Sequence, residues 1–361
     1  MSYVTQVGPE RTTGPHPTYP PSDWYTSPEL LELERRRVFD HSWSLVGTLD
    51  ELGEPGAYLT ATVGTGPILV VRDNAGNLRA FHNLCRHRGL PVLQGQGNCG
   101  GFLTCPYHQW SYDVEGRLRR VPQMQRQFEG IDLSDWGLLQ AAADTWHGMV
   151  FVNPDPTASP LREALGELAD RLDPFLSGPL VEIARVTYTA KCNWKLIVEN
   201  HIDVYHLWHL HRHSLSMYDH QAFEWDMKSN NWWSYEPLKD PEDAPSQPFN
   251  WLTEYEREGI GAHLFFPNLM LVTTGSYFAS YDATPTAPDE TLLTLRIWSG
   301  ADSDPEALLQ SVRSFMAEDV DVCELLQEGA GSSRFTTGPL AATHEAPIRE
   351  FHRALVALCR D

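Results

Sequence analysis

Positive charge is scarce in this chain. Among 361 residues, 27 Lys and Arg face 48 Asp and Glu, for a formal net charge of −21. Nucleic acid and anionic membranes need basic patches, so both are excluded as partners. Long hydrophobic runs are also missing: no stretch approaches eighteen consecutive apolar residues, and no membrane span is expected. Residues 1–28 are polar, contain Pro15, Pro17, Pro20, Pro21 and Pro28, and lack the apolar run of a secretion signal. Cysteine is sparse, with six residues and no disulfide-like spacing, which suits a reduced cytoplasm. No internal repeat is visible. What is abundant is apolar material, 42% of the chain, enough for one large domain or two.

Two of the cysteines stand in informative company. Cys85 and His87 form C-R-H; after seventeen intervening residues Cys105 and His108 form C-P-Y-H. Two thiolates can hold one iron of a [2Fe–2S] cluster and two imidazoles the other, which raises the reduction potential above that of an all-thiolate cluster. A structural zinc ion can also take two Cys and two His, but zinc fingers pair like with like, whereas here each pair mixes the types. The segment, with Arg86, Gly89, Pro106, Tyr107, Gln109 and Trp110, resembles the Rieske cluster motif. The other cysteines, Cys99, Cys192, Cys323 and Cys359, read as small core residues. Gly95-Gln-Gly97-Asn-Cys-Gly100 matches G-x-G-x-x-G, but it runs toward a strand, so nicotinamide binding by this chain is not expected.

Local patterns place these motifs. Ser27-Pro28-Glu29 starts a helix that is expected to reach about residue 39. Short β-rich runs follow at 57–63, 67–72, 78–83, 110–113, 117–121 and 146–152. Asn153-Pro-Asp-Pro156 breaks the pattern. Beyond it, helices are expected over 161–176 and from 193 to about 210, a strand at 183–190, and a Pro- and Asp-rich loop at 236–250. Alternating strands fill 263–282 and 290–299, and a last helix runs from Asp304-Pro305 to about 327. The expected domains are an N-terminal segment and helix, 1–40, packing with the catalytic domain; a cluster domain, 41–155; and a catalytic domain, 156–361.

The run from Glu199 to His211 is rich in ligands and contains D-x2-H-x4-H: Asp203, His206 and His211. Two histidines and a carboxylate on one face of a metal form the facial triad of non-haem Fe(II) oxygenases. On an ideal helix, positions five apart point roughly 140° apart, so His206 and His211 share a metal only if the helix ends or distorts between them. His209, three residues from His206, is a rival by geometry. His201, His213 and His220 read as surface or supporting residues. The last helix supplies candidate carboxylates in Glu318, Asp319 and Asp321. At ~100° per residue, Leu308, Val312, Phe315, Met316, Val322, Cys323 and Leu326 form one stripe, and Asp319 falls in its middle. A carboxylate there needs a cation or an arginine partner.

The order of cluster motif, D-x2-H-x4-H and late helical carboxylate resembles the catalytic α subunit of Rieske non-haem iron oxygenases, over about residues 40–355. Trp194-Lys195 and Gly338-Pro-Leu340 support the match. The resemblance favours His211 over His209 and implies an α+β fold: a small all-β Rieske domain plus a helix-grip catalytic domain with an antiparallel sheet and long helices. It implies a [2Fe–2S] cluster on Cys85, His87, Cys105 and His108, and mononuclear Fe(II) on His206, His211 and Asp319. NAD(P)H then acts only through a separate reductase, with or without a ferredoxin. It further implies a cytoplasmic homotrimer in which Asp203 bridges His206 of one chain and His108 of the next. The implied reaction is O2-dependent hydroxylation or dihydroxylation of a small aromatic or related substrate. Oxidative N- or O-demethylation or quaternary-amine hydroxylation is the alternative, although Asp203-Val-Tyr-His206 looks more like the ring hydroxylases. An electron-transfer protein without oxygenase activity is the reading from another class. Segment 214–262, with Asn268, Met270 and Val272, is expected to line the substrate pocket.

Overall fold

A computed structural model describes residues 18–244 and 248–360. The chain divides into two compact units, Arg35–Ala164 and Met1–Glu34 with Leu165–Asp361.

The unit Arg35–Ala164 is built on β1 (Ser44–Thr48), β2 (Ala57–Val63), β3 (Gly66–Arg72), β4 (Leu78–His82), β5 (Gln96–Asn98), β6 (Phe102–Thr104), β7 (Ser111–Asp113), β8 (Leu118–Arg120), β9 (Gln140–Trp146) and β10 (Met149–Asn153). Seven of these form an antiparallel sheet, ordered β1-β10-β9-β4-β3-β2-β5, and β6-β7-β8 form a second. β3 lies between two cores. Ile68 and Val70 pack with Leu59, Val150 and Val152 on one side; Leu69 and Val71 pack with Phe81, Cys85, Cys105 and Trp110 on the other. Period-two alternation thus aims one face of the strand at the Cys–His loops. The single strand expected at 146–152 is instead a hairpin: His147 and Gly148 both adopt positive φ and turn the chain between β9 and β10. Gln96–Asn98 leads through glycines into Phe102–Thr104 with no helix between, so the G-x-G-x-x-G match is β5 and the start of the turn that follows it.

The second unit carries β11 (Leu180–Ala190), β12 (Glu224–Lys228), β13 (Asn231–Pro237), β14 (Gly259–Phe265), β15 (Leu269–Thr274), β16 (Phe278–Ala287) and β17 (Glu290–Gly300). They form one antiparallel sheet in the order β11-β17-β16-β15-β14-β13-β12. The β12–β13 hairpin was not evident in sequence; Ser229 and Asn230, both left-handed, make its two-residue turn. The helix expected over 161–176 is broken by Gly166, whose φ of 55° and ψ of −135° only glycine adopts readily.

Four further helices matter. α1 (Pro28–Arg37) starts where expected, with Ser27 Oγ accepting from Leu30 N at 3.1 Å. α2 is Glu167–Leu176. α3 (Trp194–Ile202) is capped by Asn193, whose side chain accepts from Lys195 N. α4 (Pro305–Ala330) is capped by Asp304, which accepts from Glu306 N and Ala307 N. α4 buries Val312, Met316 and Cys323 as expected, but Leu326 is 44% exposed. Gln327 takes the inner place instead, because its amide is satisfied by Asn193 N and Tyr25 O. No helix among the described residues is long and apolar enough to cross a membrane.

α3 is anchored by buried charge. Lys195 Nζ lies 2.6 Å from Glu34 Oε1, and Trp194 Nε1 donates to Glu34 Oε2 at 2.9 Å. Lys195 and Glu34 are 1% and 0% exposed. Removing one partner strands the other charge away from water. Glu34→Ala is expected to lower stability by about 3–5 kcal/mol, and Glu34→Ala with Lys195→Met by clearly less; guanidinium unfolding of the three proteins measures both.

Candidate active site and its two metal-binding constellations

The two Cys–His loops share one backbone figure. Gly89 N donates to Cys85 O and Cys85 N to Leu90 O; Gln109 N donates to Cys105 O and Cys105 N to Trp110 O. In each, the residue four past the cysteine is left-handed, with φ of 76° at Gly89 and 59° at Gln109. That conformation is easy for Gly89 and uncommon for Gln109. The figure turns the imidazoles toward each other: Nδ1 of His87 and Nδ1 of His108 are 3.1 Å apart. The His87 ring stacks on Trp110. Burial, the neighbouring His108 and Arg88 hold the His87 pKa below its usual value, so it presents a lone pair rather than a charge.

Cys85 and Cys105 are 3% and 2% exposed. Burial pushes the Cys105 thiol up, and the Cys85 sulfur beside it adds to this, while the backbone N–H groups of Tyr107 and His108 oppose it. Cys85 Sγ lies 3.4 Å from Tyr112 Oη, which itself accepts from Arg86 N at 3.0 Å. With its lone pair engaged by that N–H, the phenol is set to donate to sulfur. Sequence gave no hint of Tyr112.

The second constellation forms because α3 stops early. The helix expected to reach about residue 210 ends at Ile202, and Asp203 is extended, with φ of −91° and ψ of 122°. A series of turns follows, with Leu207 N bonded to Val204 O, Leu210 N to His206 O and Leu215 N to His211 O. Leaving helical geometry brings His206 and His211 together, with ring centroids 5.1 Å apart. His209 is exposed and lies outside the group. From α4, Asp319 Oδ1 meets Nε2 of His211 at 2.8 Å and Nε2 of His206 at 3.6 Å. Among the described residues, Asp319 pairs with no arginine or lysine.

Each histidine has a second carboxylate behind it. His206 Nδ1 is 3.3 Å from Asp203 Oδ2, an ion-pair distance that is not aligned for a hydrogen bond. His211 Nδ1 is 2.8 Å from Glu318 Oε2, and Ser214 Oγ donates to the same oxygen at 2.7 Å. Glu318 was visible in sequence only as a rival ligand; its place at the back of His211 was not. Burial pulls the His206 pKa down, but Asp203 and Asp319 outweigh it and raise it to about 9. Burial would raise Asp319, yet the two histidines hold it below the usual carboxylate range. A cation bound here must displace a proton, so its affinity rises with pH.

The donor sets fit two different groups. Among the described residues only His206, His211 and Asp319 gather tightly enough for one ion, each offering an atom within 4.8 Å of the others. That is a two-histidine, one-carboxylate set with room for further ligands. Cys85, His87, Cys105 and His108 do not gather into such a single-ion group, which argues against zinc and suits a centre with two metal ions. Against the trio lie two small cavities, of about 80 Å³ and 60 Å³, that share Asn200, His201, Val272, Phe315 and Asp319. Of the residues expected in the pocket, Met270 and Val272 line them, and the segment 214–262 contributes Leu215, Tyr218, His220, Trp232, Ser234, Glu236, Ile260 and Ala262 to the larger one; Asn268 instead donates to Ala283 O. His201, expected at the surface or in support, lines both cavities, and its pKa is lowered to about 4 by burial.

Residues 178–361 match the family model for the ring hydroxylating α subunit catalytic domain, and residues 42–140 that for the Rieske [2Fe–2S] domain. The chain is a Rieske non-haem iron oxygenase α subunit. It is 28% identical to the glycine betaine monooxygenase oxygenase subunit of Chromohalobacter salexigens, over 92% of this chain and 83% of that one. It is 36% identical to biphenyl 2,3-dioxygenase subunit α of Rhodococcus jostii, over 50% of this chain and 41% of that one. Its fold is that of a quaternary ammonium Rieske monooxygenase, with a TM-score of 0.82 and 24% identity, covering 95% of this chain and 96% of that one. The family's cofactors are the Rieske cluster and mononuclear iron, and its members are oxidoreductases.

Two outcomes follow from this geometry. Tyr112→Phe removes a donor to sulfur and is expected to lower the cluster's reduction potential by tens of millivolts, since hydrogen bonds to sulfur set that potential; redox titration followed by EPR measures it. Glu318→Gln keeps the shape but removes the charge behind His211. Loss of such a partner commonly costs about 10–100-fold in metal affinity, so iron retention against a chelator is expected to fall by that order.

Proposed function

We propose that this α subunit oxidises a small organic cation of the quaternary-ammonium class, using O2 and electrons from NAD(P)H delivered by a separate reductase, with or without a ferredoxin. Cys85, His87, Cys105 and His108 would hold the cluster, and His206, His211 and Asp319 the iron. When bound, the cluster supplies electrons one at a time and the iron supplies oxygen activation.

One observation carries the substrate class. The larger cavity is bounded by the trio on one side, and its remaining wall sets the aromatic side chains Tyr218, Trp232 and Phe315 and the buried carboxylate Glu236 among aliphatic residues such as Leu207, Leu215, Ile260 and Val272. Aromatic faces and a carboxylate are the groups that attract an onium ion. Among the described residues, no lysine or arginine lines that cavity. The similarity to a glycine betaine monooxygenase, which extends over 92% of the chain, points the same way.

The other roles follow from position. Asp203 would orient His206, and Glu318 would orient His211. Ile197, Met270, Leu293 and Met316 make the smaller cavity apolar and keep water scarce. We infer a cytoplasmic homotrimer in which Asp203 of one chain meets His108 of the next. Tyr205 near Asp203 and Tyr107 beside His108 are 56% and 54% exposed, apolar surface that such a contact would cover.

A second reading, dihydroxylation of an aromatic ring, is favoured by that apolar smaller cavity. Product analysis separates the two. The reconstituted enzyme, reduced and exposed to O2 with choline, glycine betaine or carnitine, is expected to release formaldehyde or a substrate-derived aldehyde. A diol or phenol from benzene or biphenyl, with no aldehyde from any of the three onium compounds, would establish the second reading instead.

A further inference from the structure

Glu236 and His220 form a buried pair that neither constellation uses. They are each 5% exposed, and His220 Nδ1 meets Glu236 Oε2 in a short contact. An ionised carboxylate only accepts, so Nδ1 carries the hydrogen. Burying such a pair costs desolvation, and well-packed apolar pairs of similar volume often stabilise a fold as well or better. Stability alone therefore does not account for it.

Its location suggests what does. On β13, Trp232, Ser234 and Glu236 share one face by period-two alternation, and all three line the larger cavity. Glu236 stands opposite Ile260 of β14, another lining residue. His220 comes from the irregular segment after His211, with its ring edge-on to Trp208 at 5.8 Å. Among the described residues neither Glu236 Oε1 nor His220 Nε2 takes a hydrogen bond, and neither is sealed off as a buried unpartnered atom. Both residues line the cavity. With Nδ1 engaged by Oε2, the second carboxylate oxygen of Glu236 is left as an acceptor on a residue that lines the cavity. Tyr218 lines the same cavity, and burial, with the Glu236 carboxylate adding to it, pushes its phenol up to about 12.

We propose that Glu236, positioned by His220, is the residue that selects a cationic substrate over an uncharged one of the same shape. This rests on the quaternary-ammonium reading and gives it a residue. The Glu236 carboxylate opposes the onium charge at the β13 end of the cavity and leaves the alkyl groups to reach the His206–His211–Asp319 end. His220 acts through Glu236 as a positioning residue, fixing one carboxylate oxygen so that the other faces the cavity.

The test uses the iron- and cluster-loaded protein and two matched pairs of probes: choline with 3,3-dimethylbutan-1-ol, and glycine betaine with 3,3-dimethylbutanoate. In each pair a tert-butyl carbon replaces the ammonium nitrogen, so shape is kept and the positive charge is lost. Binding is measured by calorimetry, and aldehyde formation in parallel. Wild type is expected to bind at least one onium compound tenfold or more tighter than its isostere. Glu236→Gln is expected to weaken that onium tenfold or more while leaving the isostere within about twofold. His220→Ala is expected to lower the preference, and His220→Gln, whose amide can still donate to Glu236, to restore most of it. An unchanged preference in Glu236→Gln, with aldehyde still formed by wild type, overturns the selector role and leaves the reaction standing. No aldehyde from either onium overturns the underlying reading as well. If Glu236→Gln does not fold, Glu236→Asp replaces it: drawing the carboxylate back by one methylene must also reduce the preference, and an unchanged preference overturns the proposal.

Discussion

A carboxylate on the apolar face of a helix must be met by positive charge or bear a large desolvation cost. Asp319 occupies that position on α4, and the catalytic unit is arranged around meeting it. The early end of α3 frees His206 and His211 from helical phase so that both Nε2 atoms can reach one carboxylate oxygen. Asp203 and Glu318 then stand behind the two rings. Three carboxylates and two imidazoles form a site with excess negative charge, which a divalent ion would balance. The cap at Asn193 and the buried Lys195–Glu34 pair hold the start of α3, and so fix where it runs out.

The cluster loops solve a related problem by repetition. Each sets a cysteine at the start of a tight turn and closes it with a left-handed residue four positions on; the second then enters β7 at once. The histidine sits two residues past the cysteine in one loop and three past it in the other, so the same backbone figure delivers the rings from different places. β3 supports both loops through Leu69 and Val71 while packing the opposite core through Ile68 and Val70. A rigid, double-sided strand beneath two short loops keeps the donor atoms in place without demanding length from the loops.

Sequence showed much of this, for physical reasons that also mark its limits. Cysteine and histidine at close spacing are rare by chance, and Asp319 conflicts with its stripe, so both constellations stood out; helix starts at Ser27-Pro28 and Asp304-Pro305 were legible from cap chemistry. Turns made by ordinary residues were not. His147-Gly148 reverses the chain inside a run that reads as one strand, and Ser229-Asn230 does so in a stretch to which the pattern assigns no element. The end of α3 carries no proline or glycine, so the helix looked longer than it is. Glu318, Tyr112 and Glu236 acquire their partners only through tertiary contact, from segments 107, 27 and 16 residues away. Leu326 and Gln327 show periodicity overruled by a satisfied amide: the polar residue is buried because two hydrogen bonds await it.

Glu318 and Asp319 are consecutive on α4, yet they serve opposite sides of the same imidazole. Successive helical positions point about 100° apart, and His211 fits between them because of that angle. The site is therefore specified by the rotational phase of one helix, counted from its cap at Asp304. A residue inserted between cap and site would swing both carboxylates together and empty both places at once. For this reason α4 is more constrained in length than in composition: many side chains can fill its outer face, but only one count of residues leads to the centre.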